Sequence, residues 1–147
     1  MGVGDSGSTE QCQLEGGILR VEKAAEMISE AQNRFDAENP DFELALLGDA
    51  NGAGFLDVIE KYGSTPSGNL AKHYAGICYL RTGDLANAAA YLAKYKPVKG
   101  LPGAIVNAQN YGLQGDVAVE QQNYAQAVSF YKKAVEAADN NWTAPMY

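Results

Sequence analysis

A chain of 147 residues with 46% hydrophobic content is long enough for one domain with a real core. Its net charge of −7 is repelled by nucleic acid and by anionic lipid, which argues against either as the main partner. No apolar run reaches the length of a membrane span, and no basic start followed by an apolar middle marks a signal peptide.

Residues Met1–Gly17 are rich in Gly, Ser and polar side chains without periodicity, and read as a disordered tail carried over in part from expression. From Ile18 to Glu38 the apolar residues Val21, Ala25, Ile28, Ala31 and Phe35 recur on one helical face, and Asn39-Pro40 ends the helix. Asp41–Leu47 reads as a short helix, Gly48–Gly54 as a loop, and Phe55–Tyr62 as another short helix with Gly63 as its C-terminal cap. Thr65-Pro66 starts the next helix, with Thr as N-cap and Pro in the first turn.

The stretch Gly68–Tyr95 reads as two helices broken at Thr82-Gly83-Asp84, the second carrying Leu85, Ala88, Ala89, Leu92 and Tyr95 on one face. The unit then repeats: Gly76 recurs as Gly115, Ala88 as Ala127 and Leu92 as Tyr131, all at the same interval. The linking KPVKGLPG of Lys96–Gly103 is a loop by its prolines and glycines. Ala104–Gln121 and Tyr124–Ala138 form the last helix pair, and Thr143 and Pro145 look like the start of a further helix. The last full helix has the cleanest apolar pattern, with Tyr124, Ala127, Val128, Tyr131, Ala134, Val135 and Ala138.

These repeats resemble the tetratricopeptide repeat (TPR) family, whose pattern runs W-x2-L-G-x2-Y, then A-x3-F, then P. The first copy reads Lys72-x2-Ala75-Gly76-x2-Tyr79 and Ala88-x3-Leu92; the second reads Tyr111-x2-Gln114-Gly115-x2-Ala118 and Ala127-x3-Tyr131. Neither copy has the Trp or the final Pro, and Gln114 stands where Leu is usual. The small residues let antiparallel helices approach closely. The resemblance implies an all-α superhelix of about six helices in antiparallel pairs over residues 18–147. Repeats fall near 68–101 and 107–141, with a degenerate pair over 18–63. The run from Gly54 to Leu80 also resembles small bacterial TPR proteins of the Bacteroidetes type, which typically carry an N-terminal membrane anchor. That implies a domain tethered at the cell envelope if an anchor precedes Gln13, and a cytoplasmic one otherwise.

Cys12 and Cys78 lie in no CxxC or Cys/His cluster; Cys78 reads as a small buried hydrophobe. Asp49–Glu60 resembles an EF-hand calcium loop, with Asp49, Asn51, Asp57 and Glu60 at ligand positions, but Ala53 removes an oxygen ligand, so a capped polar turn is the simpler reading. Asp116 and Glu120 share a helix face, as a solvated acidic surface or as an acid/base pair.

No nucleophile–base pair or cofactor loop stands out, so neither an enzyme nor a cofactor is expected. The resemblance implies a protein-binding scaffold in which the first helix of each pair lines a concave groove: Leu70, His73, Ile77 and Arg81 from one repeat, Gln109, Asp116 and Glu120 from the next. Some TPR proteins clamp a peptide carboxylate with Lys and Asn; here those places hold His73, Ile77, Gly112 and Leu113, so a hydrophobic or mixed peptide segment is the expected ligand. Weak self-association through the last helix pair, or folding of Trp142–Tyr147 over it, is expected if Tyr131, Val135 and Trp142 lack cover.

Overall fold

The structure is a computed structural model that describes the backbone of residues 6–142, and the side chains of 16–100 and 102–139. The Cys12 side chain and the expected helix start at Thr143 lie outside what is described. So does any folding back of Trp142–Tyr147.

Among the described residues there are seven helices: α1 (Ser6–Phe35), α2 (Phe42–Leu47), α3 (Phe55–Tyr62), α4 (Pro66–Thr82), α5 (Leu85–Lys94), α6 (Leu101–Glu120) and α7 (Tyr124–Trp142). The fold is an all-α, TPR-like helical repeat. Two strands of two residues each, β1 (Gly48–Asp49) and β2 (Gly52–Ala53), pair antiparallel where a plain loop was expected. The chain divides into two compact units, Met1–Ala71 and Lys72–Tyr147.

In the first unit α1 is helical from Ser6, where the composition alone reads as a disordered tail. The run from Ser8 to Glu15 holds no helix breaker, so it continues the helix nucleated downstream in spite of Gly16 and Gly17. The helix ends at Phe35, short of the expected Glu38. Its buried side is Ala24, Ile28 and Ala31, whereas Val21 is exposed; the face is set by what α2 and α3 cover, not by the apolar pattern alone.

Phe35 packs edge-on against Phe42 and Phe55, so one aromatic cluster joins all three helices. The β1–β2 hairpin is held by α1 itself. Arg34 pairs with Asp49 at 2.7 Å and donates to the Gly52 carbonyl, while the Ala53 amide donates to Glu30. Thr65 caps α4 as expected: its hydroxyl accepts from the Gly68 amide and donates to the Tyr62 carbonyl. Gly63 is the C-cap of α3 as expected, in a right-handed conformation (φ −57°).

In the second unit the two helix pairs are built alike. A Cβ on Gly76 would lie 2.5 Å from Leu92 Cγ, and one on Gly115 would lie 2.6 Å from the Tyr131 ring. At Gly76 the buried Leu92 leaves room for little more than a hydrogen, and at Gly115 a Cβ would push the Tyr131 ring aside. Both turns are Schellman motifs. After α4, the Gly83 and Asp84 amides donate to the carbonyls of Leu80 and Tyr79; after α6, Gln122 and Asn123 donate to Val119 and Ala118. The left-handed position holds Gly83 (φ +87°) in one turn and Gln122 (φ +62°) in the other. Asp84 and Asn123 then cap α5 and α7 through their side chains.

Helix α6 starts at Leu101, earlier than the expected Ala104, because Pro102 suits a first turn. The preceding loop is stapled by Asn107, which accepts from the Val98 amide, donates to the Val98 carbonyl and accepts from the Tyr95 hydroxyl. Helix α7 runs beyond Ala138 to Trp142. Of its apolar pattern, Ala127 is buried against the core while Tyr124, Val128 and Val135 are exposed.

Two stability measurements check this account. Gly76→Ala is expected to lower stability by about 1–3 kcal/mol in urea or thermal unfolding, and by less in a Leu92→Ala background; an additive pair would place the contact elsewhere. Gln122→Gly is expected to raise stability by roughly 1 kcal/mol, because it relieves a left-handed side-chain-bearing residue. A lower melting temperature for that variant would refute the shared turn geometry.

Candidate functional site: a cavity lined by the two helix pairs

A cavity of about 700 Å³ lies in the second unit. Leu80 and Arg81 line it from the end of α4, Gly83 and Leu85 from the turn and the start of α5, and Leu113, Asp116, Val119 and Glu120 from α6, with Tyr131 of α7 at one side. Leu80, Leu85 and Leu113 also pack on the core cluster of Ala88, Leu92 and Val117, so the apolar wall of the cavity is the outer surface of the core. Asp116 accepts a 2.6 Å hydrogen bond from the Tyr131 hydroxyl, and this bond holds the phenol's pKa above its ordinary value. Arg81 and Glu120 are in no ion pair among the described residues, which leaves one cation and one carboxylate open to a ligand.

The cavity unites three of the seven groove residues expected from the sequence: Arg81, Asp116 and Glu120. The others are placed differently. Leu70 belongs to the first compact unit. Ile77 is 7% exposed and His73 1% exposed, so both are core residues and not groove contacts. Gln109 reaches His73 instead of lining the cavity.

His73 is covered because α6 lays two amide side chains over it. Asn110 Nδ2 donates to His73 Nδ1 at 3.0 Å, and His73 Nε2 lies 3.3 Å from Gln109 Oε1. An amide nitrogen only donates, so Nδ1 is the acceptor and the ring proton sits on Nε2. Gln114 in turn donates to Asn110 Oδ1 at 2.7 Å. The ring is therefore a neutral link in a satisfied buried chain. Burial pushes its pKa down, and the bond to Gln109 opposes this in part. Cys78 is buried, and desolvation pushes its thiol up to about 12, so it behaves as a small apolar group.

Two of the four calcium-loop candidates, Asp49 and Asp57, are engaged in holding the first unit together. Asp49 binds Arg34 and the Asn51 amide, and the amide bond together with Arg34 lowers its pKa. Asp57 accepts from the Gly54 amide at the start of α3. Asn51 and Glu60 are exposed. Among the described residues no three His, Cys, Asp or Glu side chains gather to hold a metal, and no helix is long and apolar enough to cross a membrane.

The apolar wall of Leu80, Leu85 and Val119 escapes sequence reading, since each residue equally suits the core. The Asn107 and Asn110 positions carry a legible signal: asparagine disfavours helix interiors, so a pair of them one turn apart inside a helix marks side chains with fixed partners.

The second helix pair identifies the repeat type. Residues 108–141 match the tetratricopeptide repeat family. The matched segment covers most of α6 and nearly all of α7, including the Gly115–Tyr131 contact and the Asp116 and Glu120 carboxylates. No curated protein and no solved structure matches the chain. TPR repeats generally mediate contacts between proteins.

The buried histidine makes stability depend on pH. A His whose native pKa lies below its unfolded value of about 6.5 contributes stability that is complete above that pH and is lost as pH falls through it. The melting temperature is expected to drop between pH 7.5 and 5, and the part of the drop due to this ring to vanish in His73→Gln. An identical pH profile in the variant would contradict the neutral-ring assignment.

Proposed function

We propose that this chain is a non-enzymatic scaffold whose cavity takes a segment of another protein, one bearing an apolar side chain next to a basic one. The observation that carries this reading is the meeting of Asp116, Glu120 and Arg81 around an apolar wall of Leu80, Leu85, Leu113 and Val119. Concave sites of this kind accept an apolar anchor and use a few polar groups to orient it. The two carboxylates stand one helical turn apart, the spacing at which both reach one cationic side chain. Arg81 lies across from them and suits an acidic neighbour or a carbonyl oxygen in the same segment.

Net charge supports the same class of partner. With −7 overall, the chain attracts basic segments by long-range steering and repels nucleic acid. The TPR match adds that protein binding is the general use of such repeats.

The test is an NMR titration of the full chain with peptides pairing Leu or Phe with Lys or Arg. Amide shifts are expected at Arg81, Leu113 and Glu120. Asp116→Asn/Glu120→Gln should weaken binding roughly fivefold or more, and added salt should weaken it too. Shifts confined to other surfaces, or an affinity untouched by removing both carboxylates, would reject this cavity as the binding site.

A further inference from the structure

Helix α7 has a second apolar face beside the one that docks on α6. Tyr124, Val128, Tyr131 and Val135 follow one another at intervals of four, three and four residues, the spacing of a coiled-coil seam. They are 61%, 52%, 38% and 59% exposed, while Ala127 faces inward at 2%. Single exposed apolar side chains are ordinary; four in file along roughly 16 Å of one helix are not. A shallow groove of about 430 Å³ follows the same line, between Val128, Tyr131 and Val135 and the charged pair Lys132 and Glu136.

The charges say what fits there. Lys132 flanks the seam, with Glu136 and Asp139 one and two turns further on, and all three are exposed. A second copy of the helix laid antiparallel sets its acids against Lys132 and its lysine against the acids. A parallel copy sets lysine beside lysine. The seam is thus complementary to itself in one orientation, as an isologous two-fold contact requires.

We propose that the α7 seam is a self-association surface on which two copies pair antiparallel, with Tyr131 of each against Val135 of the other and Lys132 facing Glu136. A single pair of helix faces buries less than the ~1,200 Å² typical of stable complexes, so the dimer is weak and dependent on concentration. The seam shares Tyr131 with the cavity, but the proposal does not rest on the cavity reading, because Val128, Lys132, Val135 and Glu136 do not line that cavity.

Sedimentation velocity of the full chain from about 10 μM to about 1 mM tests it. The weight-average coefficient is expected to climb toward that of a dimer. Val135→Glu, at an exposed position, should keep the chain monomeric throughout while its circular dichroism and melting stay unchanged. Lys132→Glu should weaken association at least about fivefold, and Lys132→Glu/Glu136→Lys should restore it. A monomer over the whole range would overturn the proposal, as would association that survives Val135→Glu. If Lys132→Glu strengthened pairing, or the double exchange failed to restore it, the antiparallel arrangement would be wrong.

Discussion

The second unit depends on two close approaches between helices, at Gly76 under Leu92 and at Gly115 under the Tyr131 ring. Both contacts place a large side chain of the second helix in the space a missing Cβ leaves on the first. The distance between helix backbones is thereby set, and with it the layer in which Ala88, Leu92 and Val117 pack. The contact at Gly115 also brings the Tyr131 hydroxyl onto Asp116, so a packing constraint fixes a polar group at the cavity side. The cavity is a consequence of the repeat geometry, with its apolar wall borrowed from the core.

A second constraint is polar. His73, Asn110 and Gln114 form a buried chain of hydrogen bonds between α4 and α6, extended by Gln109. Each member satisfies the next, so the chain adds modest net stability, but a shifted register would leave several groups unpaired. Leucines alone would tolerate sliding of α6 along α4, whereas an amide facing a ring nitrogen does not. Asn107 does similar work one turn earlier on the helix, tying the Val98 loop and Tyr95 to it. Together these amides hold α6 in the position where Asp116 and Glu120 face Arg81.

The two proposed binding surfaces differ in chemistry. The cavity mixes charged groups with an apolar wall, which suits selection of a short segment by its side chains. The α7 seam is a file of apolar side chains with a charged flank, which suits a helix. Tyr131 contributes to both, its ring lying at the cavity side and in the seam.

The sequence by itself determined the helical repeat. The recurrence of Gly76 and Ala88 as Gly115 and Ala127, the break at Thr82-Gly83-Asp84 and the cap Thr65 are local signals, and local signals are read from spacing. The TPR resemblance named Arg81, Asp116 and Glu120 among seven groove positions, and these three line one cavity. Only the tertiary structure decided which face of each helix is covered. Val21 and Ala24 are neighbours on α1, and only packing by α2 and α3 selects Ala24. A lone His73 reads as a surface residue until two amides from α6, far along the chain, close over it. The apolar pattern of α7 says that a face exists, but exposure of Val128 and Val135 follows from α6 packing on Ala127 and the Tyr131 ring. Periodicity records which residues share a side of a helix; what lies opposite depends on long-range contacts that no local pattern encodes.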